Sequence, residues 1–91
     1  MFLSELNKGD FFKFIPGQTV HYLSTHDLPV AFEPNNHTIY EVLKQNKMSV
    51  KVKVAIGVVE YIFKYSGRFH NYQGAAQDSL VEKTRDPLDV E

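Results

Sequence analysis

There is no cysteine in this chain. Disulfides and thiolate metal sites are therefore excluded, and a reducing cytoplasm is the expected setting. No apolar run approaches the roughly 20 residues that cross a bilayer as a helix, so no membrane role is expected. The opening residues, MFLSELNKGD, lack both a basic start and a long apolar stretch, so no secretory leader is expected either. Glycine is sparse, with five scattered at turns. That leaves no phosphate-cradling loop and no dinucleotide fingerprint. An excess of one charge is missing as well: the net formal charge is −1, which argues against strong non-specific nucleic-acid binding by a lone monomer. No internal repeat or low-complexity run is present.

What remains is one small domain. Its 91 residues are 43% hydrophobic and 13% aromatic, enough for a single core. Residues 1–84 read as that domain and residues 85–91 as an acidic tail. Charge is unevenly spread. Residues 44–74 hold Lys44, Lys47, Lys51, Lys53, Lys64 and Arg68 against Glu60 alone, while the flanking segments are acidic. A local basic segment in a neutral chain suits an anionic partner on one face.

The strongest pattern is MSVKVKVAIGVVEYIFKY, residues 48–65. Val50, Val52 and Val54 alternate with Lys51 and Lys53; Val59, Tyr61, Phe63 and Tyr65 alternate with Glu60, Ile62 and Lys64. A turn at Ile56-Gly57 pairs Val54 with Val59, Val52 with Tyr61, Val50 with Phe63 and Met48 with Tyr65. Every pair is apolar and on one face, and Lys53 faces Glu60 on the other. A one-residue slip would destroy both features, so the register is specified and the class is antiparallel β.

The flanking segments read as short strands. DFFKFI and residues 18–24 form an expected hairpin about Pro16-Gly17. Residues 28–33 make another strand, starting beside Pro29. TIYEVL, residues 38–43, is favoured as a strand over a short helix. Residues 68–72 are a short strand or loop, and residues 79–84 a last strand. Phe2, Leu3 and Leu6 lie at helical spacing, which predicts a short N-terminal helix stopped at Gly9. Short strands joined by turns suggest a small SH3-like or OB-like barrel.

Few residues point to chemistry. His21, His26, His37 and His70 match no metal-ligand spacing, so no metal or other cofactor is expected. The serines lack a nucleophile elbow and no two acids have a reason to converge, so an enzyme is not expected. Lys51, Lys53 and Arg68 are candidate phosphate contacts, with Tyr72 as a stacking residue for unpaired bases. RNA or single-stranded DNA is the ligand class this composition suits. Outward positions at Ile62 and at Phe11 or Phe12 favour self-association.

The order of elements resembles that of Sm-like proteins: FLSELN as a short helix, the Gly9-Asp10 step, then about five bent strands in an SH3-type barrel. It looks most like the divergent small barrels encoded by tailed phages, including marine ones. The resemblance implies a cyclic homo-oligomer closed by strand-edge pairing, RNA binding at ring-lining loops, and a host cytoplasm. His26-Asp27-Leu28 and Lys47-Met48-Ser49 depart from the family's Asp-x-hydrophobic-Met-Asn signature, and Ser66-Gly67-Arg68 reverses its Arg-Gly step. No RNA-contact residue is carried over. The alternative reading is a structural or protein-interaction subunit, a phage component or an inhibitor of a host protein, with no nucleic-acid binding.

Overall fold

The computed structural model describes residues 1–26, 28–69 and 74–88. Its strands are β1 (Phe11–Phe14), β2 (Val20–Leu23), β3 (Pro29–Phe32), β4 (Tyr40–Gln45), β5 (Ser49–Val54), β6 (Glu60–Lys64) and β7 (Val81–Thr84). They form one antiparallel sheet in the order β3-β2-β6-β5-β4-β1-β7, curled into a half-barrel.

The β5–β6 hairpin has the register that its alternation dictates. Val50 pairs with Phe63, Val52 with Tyr61 and Lys53 with Glu60. Backbone bonds from Val54 N to the Val59 carbonyl and from Tyr65 N to the Met48 carbonyl, both 2.9 Å, extend the ladder at each end. Gly57 turns the chain at φ +146°, a conformation that side chains with a Cβ rarely adopt.

The ambiguous segment at 38–44 holds no helix: its residues from Tyr40 belong to strand β4, Tyr40–Gln45. Before them Asn35 Oδ1 accepts from the backbone N–H groups of His37 and Thr38, closing an Asx turn. Thr38 is spent on that turn instead of capping a helix, and β4 then pairs with β5 from Tyr40↔Val54 to Gln45↔Val50 through a bulge after Val42.

Three expectations need correction. The sheet has seven strands, not about five. Four of them are only four residues long, so turns divide what the resemblance would draw as longer bent strands. The N-terminal helix is a single 3-10 turn at Leu3–Glu5. Its flanking backbone is already engaged: Val81 N donates to the Met1 carbonyl at 2.8 Å and Leu3 N to the Ser79 carbonyl at 3.0 Å. Those bonds hold the N-terminus extended against the last strand, leaving no room for a second turn. Finally, β1 and β2 do not form a hairpin. Both edges of β1 are occupied, one by β4 and the other by all four residues of β7. The Gln18 amide seals the intervening loop, donating to the carbonyls of Ile15 and Leu80 and accepting from Leu80 N.

The concave face carries the core: Leu3, Leu6, Phe12, Phe14, Val20, Val42, Val50, Val52, Phe63 and Val81 are almost wholly excluded from solvent. Phe12 is thus the inward member of the Phe11-Phe12 pair. Phe14 and Phe63 meet edge to face, ring centroids 5.0 Å apart, joining the two halves of the sheet. No helix among the described residues is long and apolar enough to cross a membrane.

Candidate functional site

The basic residues singled out by sequence do not form one free cationic surface. Lys51 and Lys53 share the convex face of β5, as alternation requires. Each meets a glutamate: Lys51 lies 3.4 Å from Glu60, and Lys53 3.6 Å from Glu41 on the neighbouring β4. Lys53 Nζ also donates to the carbonyls of Val54 and Ala55 at 3.2 and 3.1 Å. The two lysines therefore differ. Lys51 is 47% exposed and sits in a solvent-screened pair worth about 1 kcal/mol at most, so another anion can take it from Glu60 cheaply. Lys53 is 27% exposed and held by three acceptors. Arg68 is exposed beyond the end of β6, bridged to Ala75. Tyr72 lies outside the described residues.

A second cationic group collects at that same end. Ser49 pairs with Lys64, and Lys44 with Lys51 across β4 and β5. The β4–β5 turn therefore brings Lys44 and Lys47 toward Lys64 and Arg68. Lys64 is partly used: its Nζ donates to the Arg68 carbonyl and lies 5.6 Å from the Phe69 ring centroid. Lys44 and Lys47 have no carboxylate within 4 Å among the described residues.

The opposite end of the hairpin is apolar. Ile56 is 67% exposed, Val58 89% and Val59 51%, with no charged residue between Lys53 and Glu60. Burying such side chains against a partner is worth roughly 25 cal/mol per Å² of apolar surface removed from water.

A third feature sits at the mouth of the half-barrel, where β2 and β6 share the single register pair Tyr22↔Phe63. A cleft of about 260 Å³ opens there, lined by Tyr22, Phe32, Tyr40, Tyr61 and Glu33, with the buried Pro34 at its wall. The rings are inclined to one another: Tyr22 and Tyr61 at 67° with centroids 5.1 Å apart, Tyr40 and Tyr61 at 77° and 6.2 Å, Tyr22 and Phe32 at 58° and 5.9 Å. Burial, with the neighbouring Tyr61 as a smaller cause, pushes the Tyr40 hydroxyl up to about 12, so it stays neutral at ordinary pH. The hydroxyls of Tyr22, Tyr40 and Tyr61 have no hydrogen-bond partner among the described residues, and none is a sealed, unsatisfied group. Tyr65 contrasts with them: its single hydroxyl proton is shared between Gln45 Oε1 and the Asn46 carbonyl. The sequence alternation places Tyr61 on the inward face of its hairpin but points to no common site. The signal available was tyrosine, rather than phenylalanine, at inward positions.

A fourth feature is a concavity of about 450 Å³, lined in part by His21, Lys64 and Asp78. Their polar or ring atoms have structural partners. Asp78 accepts from Ser4 and Ser79, and the His21 ring packs 5.6 Å from Phe69. Among the described residues no cluster of three or more His, Asp or Glu side chains could hold a metal ion. No family model, no curated protein and no solved structure matches the chain.

Proposed function

We propose that the chain is a non-enzymatic binding module of the Sm-like, SH3-like small-barrel kind, working as a cyclic homo-oligomer. The observation that carries this reading is the open sheet, whose outermost described strands are β3 and β7, the latter bonded to Met1 at Val81 and without a strand neighbour beyond it. β3, Pro29–Phe32, has no charged residue, whereas β7 carries Glu82 and Lys83. A sheet edge is a template for another strand, and pairing β3 of one copy, beyond Pro29, with β7 of the next, beyond Val81, would join the sheets into a ring. Light scattering during size exclusion tests the oligomer. A multiple of the 10.5 kDa chain mass supports it, and a monomer across the concentration range overturns it.

The partner this reading favours is a protein. The exposed Ile56, Val58 and Val59 tip gives it an apolar contact, while the ion pairs on Lys51 and Lys53 weaken the case for phosphate. Replacing Ile56 and Val58 with Ser should abolish capture of a specific protein partner while leaving the fold intact; undiminished capture would remove the tip from the interface.

A second reading, RNA or single-stranded DNA, is favoured by the cationic end formed by Lys44, Lys47 and Arg68. It gives Lys51 a supporting phosphate contact and Lys53 a minor one. It predicts oligonucleotide binding that weakens steeply with salt, and a lower salt slope in the Lys44→Glu/Lys47→Glu variant. Salt-independent or undetectable binding would dismiss it.

A further inference from the structure

The cleft lined from β2, β3, β4 and β6 has a composition that ordinary core packing does not require. Three of its four rings are tyrosines, and their hydroxyls have no partner among the described residues. A phenylalanine would fill the same volume at each position without a polar atom needing solvation. Its charged lining is a single carboxylate, Glu33, with no lysine or arginine.

That combination selects by charge and by hydration together. Aromatic faces carry negative quadrupole potential, and Glu33 adds a formal negative charge, so cations are favoured. The rings also offer apolar surface, so a cation with apolar substituents loses less hydration on entry than a bare ammonium or an alkali ion. At about 260 Å³ the cleft lies below the roughly 300 Å³ at which sites for whole drug-sized ligands begin, which suits a head group. We infer that the cleft walled by Tyr22, Phe32, Tyr40 and Tyr61, with Glu33 among its lining residues, binds a methylated ammonium group. The three tyrosine hydroxyls then serve the stem or its water shell, while the rings and Glu33 hold the cationic head.

The test is titration of the full chain, followed by amide and aromatic NMR shifts, with tetramethylammonium, choline and the uncharged choline isostere 3,3-dimethylbutan-1-ol. Saturable shifts confined to residues around Tyr22, Phe32 and Tyr61, produced by the two cations and not by the isostere, are expected. No saturation by either cation, or equal binding of the isostere, overturns the proposal. Glu33 is exposed, so Glu33→Gln should fold normally and weaken choline binding about two- to fivefold; unchanged affinity also overturns it. Tyr61→Leu should weaken binding by a similar factor, with the spectrum of the free variant reporting its fold. A trimethyllysine peptide binding more tightly than choline would assign the head group to a peptide side chain, and the reverse order to a free small molecule.

Discussion

The two ends of the β5–β6 hairpin lie about 20 Å apart on one ladder and are built on opposite principles. At the base, Tyr65 bonds to Gln45, and the Gln45 amide donates to the carbonyls of Leu3 and Leu6 at 3.0 and 2.8 Å. One side chain thus ties β4, β6 and the N-terminal turn together, and lysines surround the assembly. At the tip, the bond from Val54 N to Val59 and one from Ala55 N to the Ile39 carbonyl hold the loop, and its larger side chains face solvent. The base spends its polar groups on internal order and places its cations outside. The tip has no such order to keep and exposes what a fold would ordinarily bury. An end held by side-chain hydrogen bonds reads as scaffold, and an end with costly exposed surface reads as a contact.

The largest effect is expected where both ends share a support. Phe63 is fully buried and its ring lies 5.0 to 5.9 Å from those of Phe14, Tyr40, Tyr61 and Phe32. Phe63→Ala should cost about 3–5 kcal/mol in denaturant unfolding. A loss below about 1 kcal/mol would mean that the two ends do not stand on one core.

Breaking the base alone should cost less. Gln45→Ala leaves two carbonyls without their amide donor and removes an acceptor from Tyr65. A loss of about 1–3 kcal/mol is expected, with faster hydrogen exchange in the residues around Leu3–Leu6. Wild-type exchange there would show that the N-terminal turn is held by β7 alone.

A smaller effect lies in pH. Tyr40 ionises near 10 when unfolded and about 12 when folded, so between those values the unfolded chain releases its proton first. The stability Tyr40 contributes is fully present below pH 10 and is lost as pH rises toward 12. Tyr65 is shifted in the same direction, by desolvation and then by Asp78. Unfolding midpoints should therefore fall above pH 10, and fall less in Tyr40→Phe; identical slopes in the two proteins would refute the assignment.

The smallest effect on stability belongs to the tip. Val58→Ser should change stability by no more than about 0.5 kcal/mol, because the side chain is 89% exposed. A larger loss, seen as a lowered melting temperature, would show that the tip packs within the fold and is scaffold like the base.

Much of this architecture is legible locally. The alternation in residues 48–65 rules out a one-residue slip, which would put lysines against the core, and with a turn at Ile56-Gly57 it gives the register observed. The same reasoning fails where partners are distant. Lys53 and Glu60 are indeed cross-strand neighbours, yet Lys53 Nζ lies near Glu41, because β4 flanks β5 on its other side, and Glu60 meets Lys51 diagonally. Pro16-Gly17 announces a turn but not which strand pairs with β1; that edge goes to β7, a strand from the other end of the chain.

The sequence by itself determined the β class, the central hairpin with its register, and which faces of β5 and β6 turn inward. Side-chain alternation is a local property with period two, and burial rewards one reading of it. Only the tertiary structure decided the strand order, the outermost places of β3 and β7, and the cleft. Tyr22, Phe32, Tyr40 and Tyr61 come from four different strands, and no local pattern specifies that such strands curl around one mouth. That convergence follows from packing the concave face about Phe14 and Phe63, a contact between residues nearly fifty positions apart.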